Sequence, residues 1–204
     1  MNVAILGGTG PFGRGLATRL VDEGVEVVIG SRDPDRAREA AAEIGCRGLR
    51  NEAAVAGMDI VILAVNAEAA LATAGAVRDL LRSPLMSVAS ELEFAAGRAV
   101  PRASAKSLAE RTAEIVDVPV VSGLHSLAAG KLARAKPDED AIVCGGDREA
   151  MRVALELAQL LVAGRAIDVG PLSVARALEG LTAAILNVNR RYKTHAGIRF
   201  TGLP

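Results

Sequence analysis

Three glycines, Gly8, Gly10 and Gly13, stand at G-x-G-x-x-G spacing within Gly7-Gly8-Thr9-Gly10-Pro11-Phe12-Gly13. The spacing alone is a weak signal. Its setting gives it meaning: it follows the apolar run Val3 to Leu6 and opens a helical pattern marked by Phe12, Leu16 and Leu20. In that context one glycine permits a tight turn and the next lets backbone approach a pyrophosphate. Gly13 then allows the helix to pack closely on the strand. The helix start adds unpaired N–H groups and a partial positive charge for the phosphates. About 20 residues on, a site for a bare adenosine ribose carries Asp or Glu. This chain has Gly30-Ser31-Arg32 there, with Arg36 one turn later. A hydroxyl and two guanidinium groups suit a ribose 2′-phosphate, which Arg meets with charge-assisted, bidentate bonds. The first 36 residues therefore predict a site for NADP(H) rather than NAD.

Those residues must be held by alternating strands and helices. Val3 to Leu6 reads as a strand buried on both faces, Phe12 to Glu23 as a helix, and Val25 to Ile29 as the second strand. Asp33 and Pro34 supply an N-cap and first helical residue for a helix ending near Ile44, before Gly45. Further strands are expected at Asp59 to Val65, Leu85 to Ala89 and Val118 to Leu124, with a helix at Glu68 to Leu81. Glu91 to Ala105 reads as a loop, and Ser107 with Glu110 as a capping box for a helix from Leu108 to Val116. The pattern predicts an α/β fold, a Rossmann-type doubly wound parallel sheet. After His125 the texture shifts to a short strand at Ala141 to Cys144 and helices at Asp147 to Val162 and Leu172 to Tyr192. This predicts a small helical C-terminal appendage. The expected division is 1–124, the NADP-binding domain, and 125–204, a small C-terminal domain completing the substrate cleft.

The composition excludes several functions. Lys plus Arg and Asp plus Glu both total 24, so no bulk field draws nucleic acid or an anionic membrane. With three Phe, one Tyr and no Trp, the stacking platforms of a single-strand binder are missing. Cys46, Cys144, His125 and His195 form no metal-ligand spacing and no disulfide framework, so no metal is expected. The sequence shows no signal peptide and no span of ~18 apolar residues, which predicts a cytoplasmic protein.

Several blocks resemble the NADPH-dependent reductases of the deazaflavin coenzyme F420. They are GGTGPFGRGLA, VVIGSR, VVSGLHSLAA and DVGPLSVARALEGLTAAILN, and the similarity covers essentially the whole chain. The resemblance implies direct hydride transfer between NADP(H) and coenzyme F420, both small-molecule partners, in a homo-oligomer, specifically a homodimer. It places Thr9, Gly10, Pro11 and Phe12 on the pyrophosphate, and Ser31, Arg32 and Arg36 on the 2′-phosphate. Val65 and Asn66 fall on the nicotinamide half, and His125, Ser126 and Leu127 border the deazaflavin. Thr182 falls near the cofactor interface. Among these, His125, Leu127 and Thr182 are the residues expected to act in catalysis, with His125 donating a hydrogen bond to the deazaflavin. The chain departs from the family where His-Thr-Ile-Pro is replaced by His125-Ser126-Leu127-Ala128, and where Gly180 stands for Ser and Asn66 for Pro.

Two other functions fit the same nucleotide site. An NADPH-dependent reductase of a small imine or carbonyl compound requires a Lys, Asp or Tyr proton donor near Asn66 or His125. A non-catalytic NADP(H)-binding sensor requires a second crevice closed by side chains.

Overall fold

Val3, Ala4, Ile5 and Leu6 are fully buried, as a strand covered on both faces must be. They form β1 (Asn2–Leu6), the centre of the sheet in this computed structural model, which describes residues 1–203. There follow α1 (Pro11–Asp22), β2 (Glu26–Ser31), α2 (Pro34–Ile44), β3 (Arg47–Arg50), α3 (Asn51–Ala54), β4 (Ile60–Leu63) and α4 (Ala67–Val77). Next come β5 (Leu85–Ser87), β6 (Leu92–Ala95), β7 (Arg98–Pro101), α5 (Leu108–Ala113), β8 (Val120–Gly123) and α6 (Ala129–Leu132). The chain finishes with β9 (Ala141–Gly145), α7 (Arg148–Leu161), β10 (Ala166–Asp168) and α8 (Ala175–Tyr192).

Eight strands form one sheet in the order β10-β9-β8-β5-β4-β1-β2-β3. Every neighbouring pair is parallel except β8–β9, which is antiparallel. Residues alternating along the strands feed two cores. Val3, Ile5 and Ile29 pack with Leu16 and Leu20 of α1 on one face. Ala4, Leu6, Val61 and Leu63 pack with Ala70, Ala74 and Leu108 on the other. β1 lies between β2 and β4, so the chain reverses its winding there. In open α/β sheets the crevice at such a reversal, beyond the carboxyl ends of the strands, is where ligands sit.

Three features differ from the sequence expectation. Residues 47–54 supply an edge strand and a short helix that no apolar run announces. The segment expected as a loop, Glu91 to Ala105, contains the antiparallel hairpin β6–β7. The region after residue 124 is more than helical: β9 and β10 hydrogen-bond into the main sheet, so the sheet runs across the expected boundary. Ser107 and Glu110 form the expected capping box at the start of α5. No helix among the described residues is long and apolar enough to cross a membrane.

Candidate functional site

The turn after β1 is shaped by close contact. Gly7 adopts φ +88°, a conformation that side chains rarely tolerate, and a Cβ there would lie 2.6 Å from the Ala64 carbonyl oxygen. A Cβ on Gly13 would lie 2.5 Å from the Gly7 oxygen, so only glycine lets α1 start this close to β1. Gly10 is the N-cap of α1 and Pro11 its first residue. Gly8, Gly10 and Gly13 thus carry the expected spacing, while Gly7, outside the motif, takes the left-handed turn.

A cavity of about 520 Å³ opens over this turn. Thr9 and Gly10 form one part of its wall, Ser31, Arg32 and Arg36 another, and Ala64, Val65 and Asn66 a third. Arg32 and Arg36 are exposed and take part in none of the ion pairs among the described residues. One carboxylate also borders the cavity, that of Asp33. It is occupied as the N-cap of α2, accepting from the amides of Asp35 and Arg36, while the Asp33 amide donates to Ser31 Oγ.

A second cavity, of about 300 Å³, adjoins the first and shares the wall Ala64–Val65–Asn66. Phe12, Leu127, His125 and Thr182 line it. Phe12 therefore borders the second cavity and not the first, and Pro11 faces a groove between α1 and α6. The structure brings His125, Leu127 and Thr182 together with Val65 and Asn66, across more than a hundred residues of chain. Ser126 is the exception: it is buried, and its hydroxyl donates to the Asp140 carbonyl oxygen at 3.2 Å, away from either cavity. Successive residues of a turn point in different directions, and the side of His125 that faces the cavity is not the side of Ser126.

Leu124 presents this segment. It is fully buried with φ +64°, an unusual and costly conformation for a branched residue, and such strain concentrates at functional sites. The turn is closed by the Leu127 amide donating to the Leu124 oxygen. His125 then lies with Nε2 3.3 Å from the Ala89 carbonyl, an acceptor, so that nitrogen carries the proton. Burial lowers the His125 pKa to about 4, with the Ala89 bond opposing it weakly. The ring is neutral, its one N–H is already given to Ala89, and Nδ1 has no partner. In this arrangement Nε2 is held by Ala89 and Nδ1 is buried, so donation from His125 to the deazaflavin, as the resemblance implies, requires the Ala89 bond to be released.

Two hydroxyls complete the wall. Thr182 Oγ1 donates to the His125 carbonyl oxygen at 3.1 Å, so the 2.8 Å contact with Ser90 Oγ must have Ser90 as donor. Ser90, which follows β5, went unnoticed in the sequence because a lone serine carries no pattern. No Lys, Asp or Tyr among the described residues lines the second cavity. Lys131, the nearby candidate donor for imine or carbonyl chemistry, is bound to the buried carboxylate of Glu139. Nor is the second crevice filled by side chains, as the sensor alternative required.

Known proteins match the chain over its whole length. A sequence model of a family described as NADP oxidoreductase, coenzyme F420-dependent, matches residues 2–91. The F420-dependent NADP reductase of Methanothermobacter thermautotrophicus is 34% identical over 223 residues, covering 100% of this chain and 96% of that protein. The enzyme of the same name from Methanocaldococcus jannaschii is 34% identical over 222 residues, covering 100% and 99%. A solved structure from an Arthrobacter species, described as a candidate F420-dependent NADP-reductase, superposes with a TM-score of 0.81 at 28% identity, covering 100% of both chains.

Proposed function

We infer the activity from one premise: this chain belongs to the family of coenzyme F420-dependent NADP oxidoreductases. It is an oxidoreductase that moves a hydride between NADP(H) and coenzyme F420, its two substrates. With NADPH as donor, the oxidised deazaflavin gains the hydride and one proton, and NADP⁺ is released.

The observation that carries the assignment of sites is the wall common to both cavities. Transfer between two ring systems requires the reacting carbons to approach to roughly 3–3.5 Å, and the redox chemistry resides in the substrates themselves. The protein's part is to bind and orient. We assign Gly8, Thr9, Gly10 and Gly13 to the diphosphate turn, and Ser31, Arg32 and Arg36 to the 2′-phosphate. Val65 and Asn66 are assigned to the nicotinamide half. Phe12, His125, Leu127 and Thr182 fall to the deazaflavin, with Ser126 supporting the turn behind them. In this reading residues 1–124 hold the dinucleotide and residues 125–204 complete the second cavity. With burial favouring the neutral ring and its N–H held by Ala89, His125 is not assigned as the proton donor.

The test is to mix NADPH, oxidised deazaflavin and protein and follow the visible absorbance of the deazaflavin. Its loss supports the assignment; an unchanged band across pH would end it. The protein is further proposed to be a homodimer in the cytoplasm. Phe94 of the hairpin (72% exposed) and Tyr192 of α8 (68%) leave apolar surface for a second copy, and the two free thiols suit a reducing compartment. Light scattering showing twice the monomer mass would support the dimer.

A further inference from the structure

Ser90 donates to Thr182 in the wall of the second cavity, yet it belongs to no strand or helix: β5 ends at Ser87 and β6 begins at Leu92. The sheet therefore does not fix it. Its neighbours do. On one side the Ala89 carbonyl oxygen is held by His125 Nε2. On the other, the Glu91 carbonyl oxygen accepts from the Arg102 amide at 3.0 Å, at the base of the hairpin. The Glu91 carboxylate is paired with the guanidinium of Arg111. Arg111 lies on α5 and lines neither cavity.

The pairing closes a ring. At its own start α5 is fastened to α8, where the buried Glu179 carboxylate accepts from the Leu108 and Ala109 amides. Glu179 and Thr182 stand three residues apart, on one face of α8. Contacts thus run from Thr182 through Ser90 and Glu91 to Arg111, along α5, and back through Glu179 to the same helix. Arg111 is the positive charge in that ring, and it acts on both carboxylates: Glu91 disfavours the charge on Glu179 and Arg111 favours it. With side chains 29% and 13% exposed, Arg111 and Glu91 are only partly screened by water. Without Arg111, Glu91 would be left to repel Glu179, and the segment that carries Ser90 would lose its anchor.

We propose that Arg111 is a positioning residue for hydride transfer: through Glu91 it fixes Ser90 as the donor to Thr182, and so holds that stretch of wall against the deazaflavin. The proposal rests on the second cavity being the deazaflavin site. A shift of such a wall alters how the two rings approach each other, and the rate depends steeply on that approach.

The test is a double-mutant cycle on the full chain, read as kcat for deazaflavin reduction and KM for NADPH. Arg111→Ala is expected to lower kcat about five- to tenfold, as far as loss of the Ser90 bond itself, with KM for NADPH unchanged. Combined with Ser90→Ala it should add nothing further. Glu91→Ala removes the carboxylate that repels Glu179, so it should fold, and it is expected to repeat both results. It decides the matter alone if Arg111→Ala does not fold. Losses that multiply with that of Ser90→Ala, or a KM for NADPH that rises as kcat falls, would show a general loosening and overturn the proposal. So would a wild-type kcat in Glu91→Ala, or in Ser90→Ala, which would leave nothing to position. Wild-type protein that reduces no deazaflavin refutes the reading of the second cavity, and the proposal with it, whereas the other outcomes strike the proposal alone.

Discussion

Reversing one charge at Arg32 should convert an NADPH enzyme into one that favours NADH. Arg32 is exposed, borders the first cavity and has no ion-pair partner among the described residues, so its charge is available to a ligand. A charge-assisted hydrogen bond to phosphate contributes about 1.5–3 kcal/mol. Arg32→Glu removes that and adds repulsion. A carboxylate about 5 Å from a phosphate carrying nearly two charges, in a water-like dielectric, costs roughly 1.5 kcal/mol. The sum, about 3–4.5 kcal/mol, corresponds to a roughly 150- to 2,000-fold loss in NADPH affinity, with the low end expected at physiological salt. NADH carries a hydroxyl where NADPH carries phosphate, and Glu accepts from it as the acidic residue of an NAD site does. Its KM should therefore stay within about threefold or improve. The assay is initial velocity against each dinucleotide at saturating deazaflavin, at two salt concentrations. An unaltered preference for NADPH would refute the electrostatic reasoning.

Four further perturbations have defined outcomes. Ser90→Ala removes the donor to Thr182 and should lower kcat about five- to tenfold while the KM for NADPH stays put; an unchanged kcat would show the hydroxyl pair to be idle. Gly13→Ala drives a methyl group into the Gly7 backbone and should cost about 1–3 kcal/mol, lowering affinity for NADPH and NADH alike; titration of both checks this. His125, with its folded pKa lowered to about 4 from an ordinary 6.5, binds protons more readily once unfolded. Its contribution to stability is thus full above pH 6.5 and is lost as pH falls towards 4, by about 3 kcal/mol; melting curves of His125→Asn should lack that slope, and wild-type kcat should be free of a His125 titration between pH 6 and 9. Glu179 is the opposite case. Burial raises it to about 7 although it accepts from the Leu108 and Ala109 amides, so its contribution is lost as pH rises from 4.5 through 7. Glu179→Gln should melt higher than wild type at pH 8 and equally at pH 4.5; a lower melting point at both would refute this.

The walls of the first cavity were legible because their signals are local. The run Val3 to Leu6, the glycine turn and Ser31-Arg32 lie within one β-α-β unit, and each residue type has a physical reason at its position. The hairpin β6–β7 was not, because Phe94 and Val100 are exposed and no buried alternation marks either strand. β3 escaped for a related reason: it is an edge strand reading Arg-Gly-Leu-Arg. Its Gly48 is there because a side-chain carbon would lie 2.2 Å from the Ala37 oxygen of α2. The second cavity was legible only as a set of residues. Sequence placed His125 and Thr182 in it, but the direction of Ser126, the tautomer of His125 and the presence of Ser90 depend on contacts between segments far apart in the chain.

The antiparallel junction of β8 with β9 bears on how substrates come and go. Main-chain hydrogen bonds carry the sheet across residue 124, so swinging residues 125–204 away from residues 1–124 would have to break them. Entry and exit then fall to side-chain rotations and to local rearrangement of surface segments beside the rings. Turnover limited by departure of product would answer to changes in the β6–β7 turn, and would be indifferent to a staple across β8 and β9.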